Sequence, residues 1–213
     1  MYFRIQKTVQ SYRSGYLFSA SNVLKILLFF IILFQNPAYA VSLSRYQGAR
    51  SCMGVTWTVT VFTETLAEAE TVISATLNEV TRLENILSDY QPKSELYQLS
   101  ALAPTQCPKQ VSEDLWEVLV QAVAWRDRSR GAFDPTVGVL TDLWRNARQT
   151  GHMPSAKELQ GVMRSAGPEA LRLDDAQRVR LLEPNMRLDL GGIGMGFTID
   201  KACLLYTSPS PRD

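Results

Sequence analysis

Between Val55 and Phe62, Trp57, Val59 and Val61 alternate with threonines, the two-residue period of a half-buried strand, and the short loop Ser51-Cys52-Met53-Gly54 leads into it. From Leu66 to Leu87 the period changes: Ala69, Val72, Ile73, Leu77, Val80 and Leu83 recur three and four residues apart, which predicts a long amphipathic helix ending near Ser88-Asp89-Tyr90. Thr65 and Glu68 make a capping-box pair at its start. Ser94 caps a short helix through Leu99, Pro104 and Pro108 mark a loop, and Ser112 caps a helix whose Leu115, Val118, Leu119 and Ala122 share one face, running to about Arg128. Residues 129–138 carry two glycines and a proline without periodicity and read as an ordered turn. Val139 to Arg148 reads as a helix ending before Gly151, and the capping box Ser155/Glu158 opens another that stops near Gly167. Leu171 to Leu173 and Val179 to Leu182, separated by Asp174-Asp175, form a predicted hairpin. Met186 to Leu190 alternates as a strand does, followed by Gly191-Gly192-Ile193-Gly194-Met195-Gly196 and a helix through Ala202. The mixture predicts one α+β domain over residues 41–202, since 213 residues hardly suffice for two cores.

The first forty residues follow a different pattern. Arg4, Lys7, Arg13 and Lys25 precede the apolar run Ile26 to Phe34, and Ala38-Tyr39-Ala40 supplies a small-x-small triplet. Nine strongly apolar residues are too few for a bilayer core, which takes roughly 20. Residues 1–40 therefore read as a signal peptide cleaved after Ala40, and the expected location is exported: periplasmic, or on the periplasmic face of the inner membrane. Residues 203–213, with Pro209 and Pro211, have neither helical period nor strand alternation and read as an aberrant tail.

Charge narrows the partners. Lys and Arg number 22 against 21 Asp and Glu, so no excess field points to nucleic acid. His152, the sole histidine, lies in a polar linker beside Gly151, which argues against histidine-based metal sites and Ser-His or Cys-His catalysis. Cys52, Cys107 and Cys203 fit no zinc spacing; a Cys52–Cys107 bridge and unpaired buried thiols both remain open. A strand that runs into glycines and then a helix presents backbone N–H groups suited to phosphate, although such glycines also serve close packing. Asp189, just before the glycines, can accept a hydrogen bond from a ligand, help hold a cation, or cap the turn.

Four segments in order, Met53-Gly54-Val55-Thr56-Trp57, Leu87-Ser88-Asp89-Tyr90, Gly131-Ala132-Phe133-Asp134-Pro135-Thr136-Val137-Gly138 and Leu188-Asp189-Leu190-Gly191-Gly192-Ile193, resemble the successive motifs of the FAD:protein FMN transferase (ApbE) family over about Gly48 to Lys201. The resemblance implies a T-fold-like flavin transferase domain, incomplete at its C-terminus. It implies binding of FAD and Mg²⁺, transfer of FMN to a Thr or Ser of an acceptor protein, typically a membrane redox-complex subunit, and release of AMP. By the same resemblance Met53 and Tyr90 line the flavin, Ala132, Phe133 and Asp134 hold it, Asp189 binds the adenosine side, and the Gly192 carbonyl helps coordinate the metal. Met195 stands where many members place Lys or another polar residue against FAD. The family's other metal ligands have no counterpart in this chain, which makes it an inactive truncated form by expectation. The alternatives are an FAD pyrophosphatase and a non-catalytic exported flavin-binding protein.

Overall fold

The computed structural model describes residue 25 and residues 42–204. The predicted signal over residues 1–40 lies, apart from Lys25, outside the described residues, as do residues 205–213.

The described domain opens with a β-hairpin, β1 (Ser44–Cys52) antiparallel to β2 (Val55–Thr63), in register from Ser44 opposite Thr63 to Cys52 opposite Val55. Only Met53 and Gly54 join them, both left-handed at φ 51° and 74°, the paired positive dihedrals that a two-residue turn of this twist requires. The sequence reading gives Ser51 to Gly54 as a loop and misses β1. Its residues, Ser-Arg-Tyr-Gln-Gly-Ala-Arg-Ser-Cys, are mostly polar because almost all of them stay exposed or half-exposed, so no apolar alternation advertises the strand.

Helix α1 (Leu66–Leu87) follows, with the Thr65 hydroxyl accepting from the Glu68 amide, which is one half of the predicted capping box. Its buried stripe of Ala69, Leu77, Val80, Leu83 and Leu87 packs on the hairpin at one end and on α2 (Glu95–Ala101) and α3 (Glu113–Arg128) at the other. Ser94 and Ser112 cap α2 and α3 as the sequence predicts. Glu95 adds a second tie by accepting from both the amide (2.7 Å) and the hydroxyl (2.6 Å) of Ser112. A two-residue strand, β3 (Lys109–Gln110), edges a small sheet in the order β3-β5-β4, where β4 (Leu171–Asp174) and β5 (Arg178–Leu181) form the predicted hairpin.

Helix α4 (Gly138–Thr150) stops at Gly151, left-handed at φ 72°, a conformation glycine adopts without cost. Helix α5 (Ala156–Met163) carries the complete Ser155/Glu158 capping box and ends four residues before the expected Gly167. Helix α6 (Gly194–Leu204) leaves the glycine turn and takes in Cys203 and Leu204, which the sequence reading assigns to the irregular tail.

Met186 to Leu190, beside the site, is not a ladder strand: a single parallel bridge joins Val137 to Arg187, with bonds from Gly138 N–H to the Arg187 carbonyl (3.0 Å) and from Asp189 N–H to the Pro135 carbonyl (2.8 Å). The alternation still reports burial, because Met186, Leu188 and Leu190 are essentially inaccessible, worth about 1.5–3 kcal/mol apiece. They enter the main core with Leu83, Leu96, Leu115 and Leu119. All three cysteines are free; Cys52 is buried and Cys107 is exposed, so no bridge joins them.

Candidate functional site

The hairpin turn, the exit of α1 and the glycine turn meet around a cleft of about 100 Å³ whose walls include Met53, Asp89, Tyr90, Gly191 and Met195. Glu84, one turn before the end of α1, holds two of these walls. One carboxylate oxygen accepts from the Met53 amide at 2.6 Å and from the Tyr90 hydroxyl at 3.2 Å, and the other accepts from the Cys52 thiol at 3.0 Å. Burial opposes its charge, but the thiol, amide and phenol donors hold its carboxyl below the usual carboxylate range. Burial first, and then the bond to Glu84, pushes the Cys52 thiol up to about 11. The Met53 sulfur also receives the Thr198 hydroxyl of α6 at 3.7 Å.

Beyond Tyr90 lies a charge network. Arg145 of α4 reaches the Asp89 carboxylate at 2.6 Å and Asp142 at 3.3 Å, while Arg187 reaches Asp142 at 2.7 Å and the Asp89 carbonyl at 2.8 Å, with its guanidinium 4.8 Å over the Tyr97 ring. Partial burial disfavours the Arg145 charge, yet the bond to Asp89 and the nearby charges of Asp89, Asp189 and Asp142 raise its affinity for the proton. Three carboxylates against two guanidinium groups leave this corner with a net charge of −1.

The glycine turn differs from its sequence reading. Gly191 N–H donates to Asp189 Oδ1 at 2.8 Å, and the amides of Ile193 (3.0 Å) and Gly194 (2.7 Å) donate to the Leu190 carbonyl, so three of its N–H groups are engaged within the turn. The Gly192 amide has no partner among the described residues. On the far side of the turn, Trp125, Phe133, Gly192 and Ile193 line a second recess of about 240 Å³. The Phe133 ring lies so near that a Cβ on Gly192 would meet it at 3.0 Å, which explains the glycine by packing.

Asp134 faces its own chain. Its Oδ1 accepts from the amide (2.9 Å) and hydroxyl (2.7 Å) of Thr136, which is fully buried and in turn accepts from the Gly167 amide at 2.8 Å. The expectation of a purely ligand-binding carboxylate is therefore corrected: one oxygen folds the turn, and Oδ2 has no hydrogen bond to a described residue. Ala132 is exposed on the same turn. The structure thus brings Met53, Tyr90 and Met195 to one cleft with Asp189 at its glycine edge, sets Phe133 and Gly192 against each other in the second recess, and leaves Ala132 and Asp134 outside both. His152 is exposed, as expected of a linker residue.

Glu84, Asp142, Arg145 and Arg187 escape the sequence reading. Glu84 alone carries a sequence signal, because a charge four residues after Val80 and three before Leu87 falls within the apolar stripe of α1. A larger recess, about 670 Å³ between β2, α1 and α6, shares only Met195 with the site and is walled by Trp57, Val59, Val72 and Ile199. Its lining has no carboxylate or basic side chain, so the smaller cleft is the stronger chemical candidate. Among the described residues there is no group of three or more His, Cys, Asp or Glu side chains placed to hold a metal ion.

Comparison with known proteins agrees with this geometry. The chain is similar to an FAD:protein FMN transferase of Treponema pallidum, 26% identical over 170 residues that cover 76% of this chain and 47% of that protein. A counterpart in Chlamydia trachomatis is 32% identical over 120 residues, 55% of this chain and 37% of that one. Among solved structures, the ApbE protein of Thermotoga maritima superposes with a TM-score of 0.69 at 25% identity, covering 76% of this chain and 52% of the other. Flavin transferase ApbE from Vibrio cholerae gives 0.68 at 22%, covering 76% and 53%, a likeness of fold. The chain spans less than half the length of these curated relatives and about half that of the solved structures. The ApbE family model matches residues 53–209, and with the mixed helix and sheet architecture already described, the chain belongs to the ApbE family.

Proposed function

We propose that the protein transfers FMN from FAD to a hydroxyl of an acceptor protein. The observation that carries this reading is the convergence of Met53, Asp89, Tyr90, Gly191 and Met195 on one cleft in a chain of this family. At about 100 Å³ the cleft is smaller than the ~300–1,000 Å³ of typical small-molecule sites. FAD would therefore lie across the glycine turn, with one part between Met53 and Tyr90 and the rest toward the recess of Phe133 and Gly192. The Tyr90 ring and Met53 thioether offer apolar faces to a planar ring system. The unpartnered Gly192 amide and the N-terminus of α6 offer positive dipole to a phosphate oxygen.

In the reaction, the acceptor threonine or serine oxygen forms a bond to the phosphorus of the FMN half. The pyrophosphate P–O bond breaks, AMP leaves with the bridging oxygen, and the hydroxyl proton passes to solvent. The protein's part is positioning and charge compensation. Mg²⁺ is the counter-ion that the resemblance implies, and a site whose carboxylates, Glu84, Asp89, Asp142 and Asp189, outnumber its two guanidinium groups gives a pyrophosphate little cationic help of its own. The residues present do not fit a complete Mg²⁺ site: Asp189 and the Gly192 carbonyl offer two ligand groups, where the ion takes about six oxygens. No step is routed through it. The acceptor class that fits the reading is a membrane redox-complex subunit outside the cytoplasm, in line with the export signal read at residues 1–40.

Incubation with FAD, with and without Mg²⁺, and a peptide bearing an acceptor threonine tests the reading. Covalent flavin fluorescence on the peptide is expected, and its yield with and without Mg²⁺ shows whether the ion takes part. Free FMN and AMP would favour a pyrophosphatase instead, and bound but unchanged FAD a non-catalytic binder. Failure to bind FAD would overturn the flavin reading.

A further inference from the structure

We infer that Glu84 is a positioning residue that fixes the Met53–Gly54 turn and the Tyr90 ring as one unit on the cleft; the inference rests on the flavin reading for its functional consequence, while its geometric content stands by itself. The two wall residues come from segments unrelated in sequence, one a hairpin turn and the other the coil after α1. Nothing in the sheet register sets the distance between them, since β1 and β2 end at Cys52 and Val55. A single carboxylate oxygen spans the gap, accepting from Met53 N–H at 2.6 Å and Tyr90 O–H at 3.2 Å. The second oxygen holds the Cys52 thiol at 3.0 Å, so both the residue before the turn and its first residue are tied to the same side chain.

The turn needs such a tie. Met53 sits at φ 51°, a conformation that non-glycine residues rarely adopt, and its amide donates to Glu84. Tyr90 is half exposed, and its hydroxyl donates to Glu84 at 3.2 Å. Without the carboxylate, the turn is free to relax and the phenol to swing into solvent. Glu84 itself can stay charged there, because three donors surround it. A charged side chain inside the apolar stripe of α1, next to Leu83, has no packing reason to be present.

The test uses the full chain and two variants. Glu84→Ala removes every acceptor, whereas Glu84→Gln keeps an amide oxygen for Met53 N–H and Tyr90 O–H and loses only the charge and the thiol bond. FAD affinity, measured by flavin fluorescence, is expected to weaken about 10- to 100-fold in Glu84→Ala, the scale of a misplacement of about 1 Å. Glu84→Gln is expected to restore most of it. Two readouts do not depend on FAD. Hydrogen exchange at the Met53 amide should quicken in Glu84→Ala, and NMR of ring-labelled tyrosine should show the Tyr90 phenol titrating at lower pH in Glu84→Gln, since burial first and then the Glu84 charge raise it, and the variant removes the second. Wild-type protein that fails to bind FAD would sink the flavin reading, and the exchange and titration data would then decide the positioning inference alone. Unchanged Met53 exchange and Tyr90 titration overturn it. So does a Glu84→Gln variant as impaired as Glu84→Ala at equal thermal stability.

Discussion

Replacing Gly138 by alanine tests how closely the two ligand-side segments must approach. A Cβ at this position would lie 2.6 Å from the Arg187 carbonyl oxygen, 2.8 Å from its carbon and 2.9 Å from the Arg187 Cβ. Backbone cannot rotate out of the way as a side-chain tip can, so the 135–138 turn and the 186–190 segment must separate. Overpacking of this kind costs about 1–3 kcal/mol, and weakening the Gly138 N–H bond to the same carbonyl adds about 0.5–1.5, giving roughly 2–4 kcal/mol in all. With a urea slope of about 2 kcal/mol per molar, the unfolding midpoint should drop by about 1–2 M. Gly161 in α5 is the control, since an added Cβ there meets nothing within 4 Å. Gly161→Ala should raise stability by about 0.5–1 kcal/mol through reduced freedom of the unfolded chain. A midpoint for Gly138→Ala equal to wild type, or an equal loss in Gly161→Ala, would refute the argument from close approach.

Thiol labelling at pH 8 should modify Cys107 and Cys203 quickly and Cys52 only on unfolding, because Cys52 is buried and its thiol is pushed up to about 11; rapid labelling of three thiols in the native state would contradict this. Asp134→Ala should destabilise by about 1–3 kcal/mol in thermal melts, since the buried Thr136 loses its acceptor, and an unchanged melt would return Asp134 to a purely ligand-binding role. Lys201→Met breaks the ties of α6 to Glu117 at 2.6 Å and Asp114 at 3.4 Å; the groups are partly exposed, so the loss should stay below about 1 kcal/mol and shrink in high salt. Arg82 holds Glu79 below the ordinary carboxylate range, chiefly through its hydrogen bond. The folded value lies below the unfolded one, so this stabilisation is present at neutral pH and lost on acidification below about 4.3. Urea midpoints should therefore fall in acid and stay level between pH 6 and 8.

Much of the fold was legible because burial leaves a period. The stripes of α1 and α3 and the alternation of Met186, Leu188 and Leu190 mark the residues that enter the core. Strand β1 was not legible because a mostly solvated hairpin asks little of its side chains. Met186 to Leu190 reads with the right inward face but as a strand, since alternation records which side is covered and not whether a ladder or a loop covers it. Around the candidate cleft, motif resemblance names Met53, Tyr90 and Asp189, whereas it does not name Arg145 and Arg187. Their partner Asp89 lies 56 and 98 residues away along the chain, and pairings over such separations leave no local pattern. Asp134 shows a second role that its motif does not carry: a turn carboxylate flanked by glycines reads as a ligand group, and an Asp two residues before a threonine also closes its own turn.

The contact between Thr198 and Met53 has a consequence in time. The two are 145 positions apart, so the hairpin turn that forms one wall of the cleft leaves the ribosome long before the helix that completes it. At about 5–20 residues per second, synthesis of the intervening chain takes roughly 7–30 s. For that interval the apolar face of β2 waits without α6, and a slow stretch of translation before Gly194 would lengthen the window in which the nascent chain can be captured by a chaperone or by another copy.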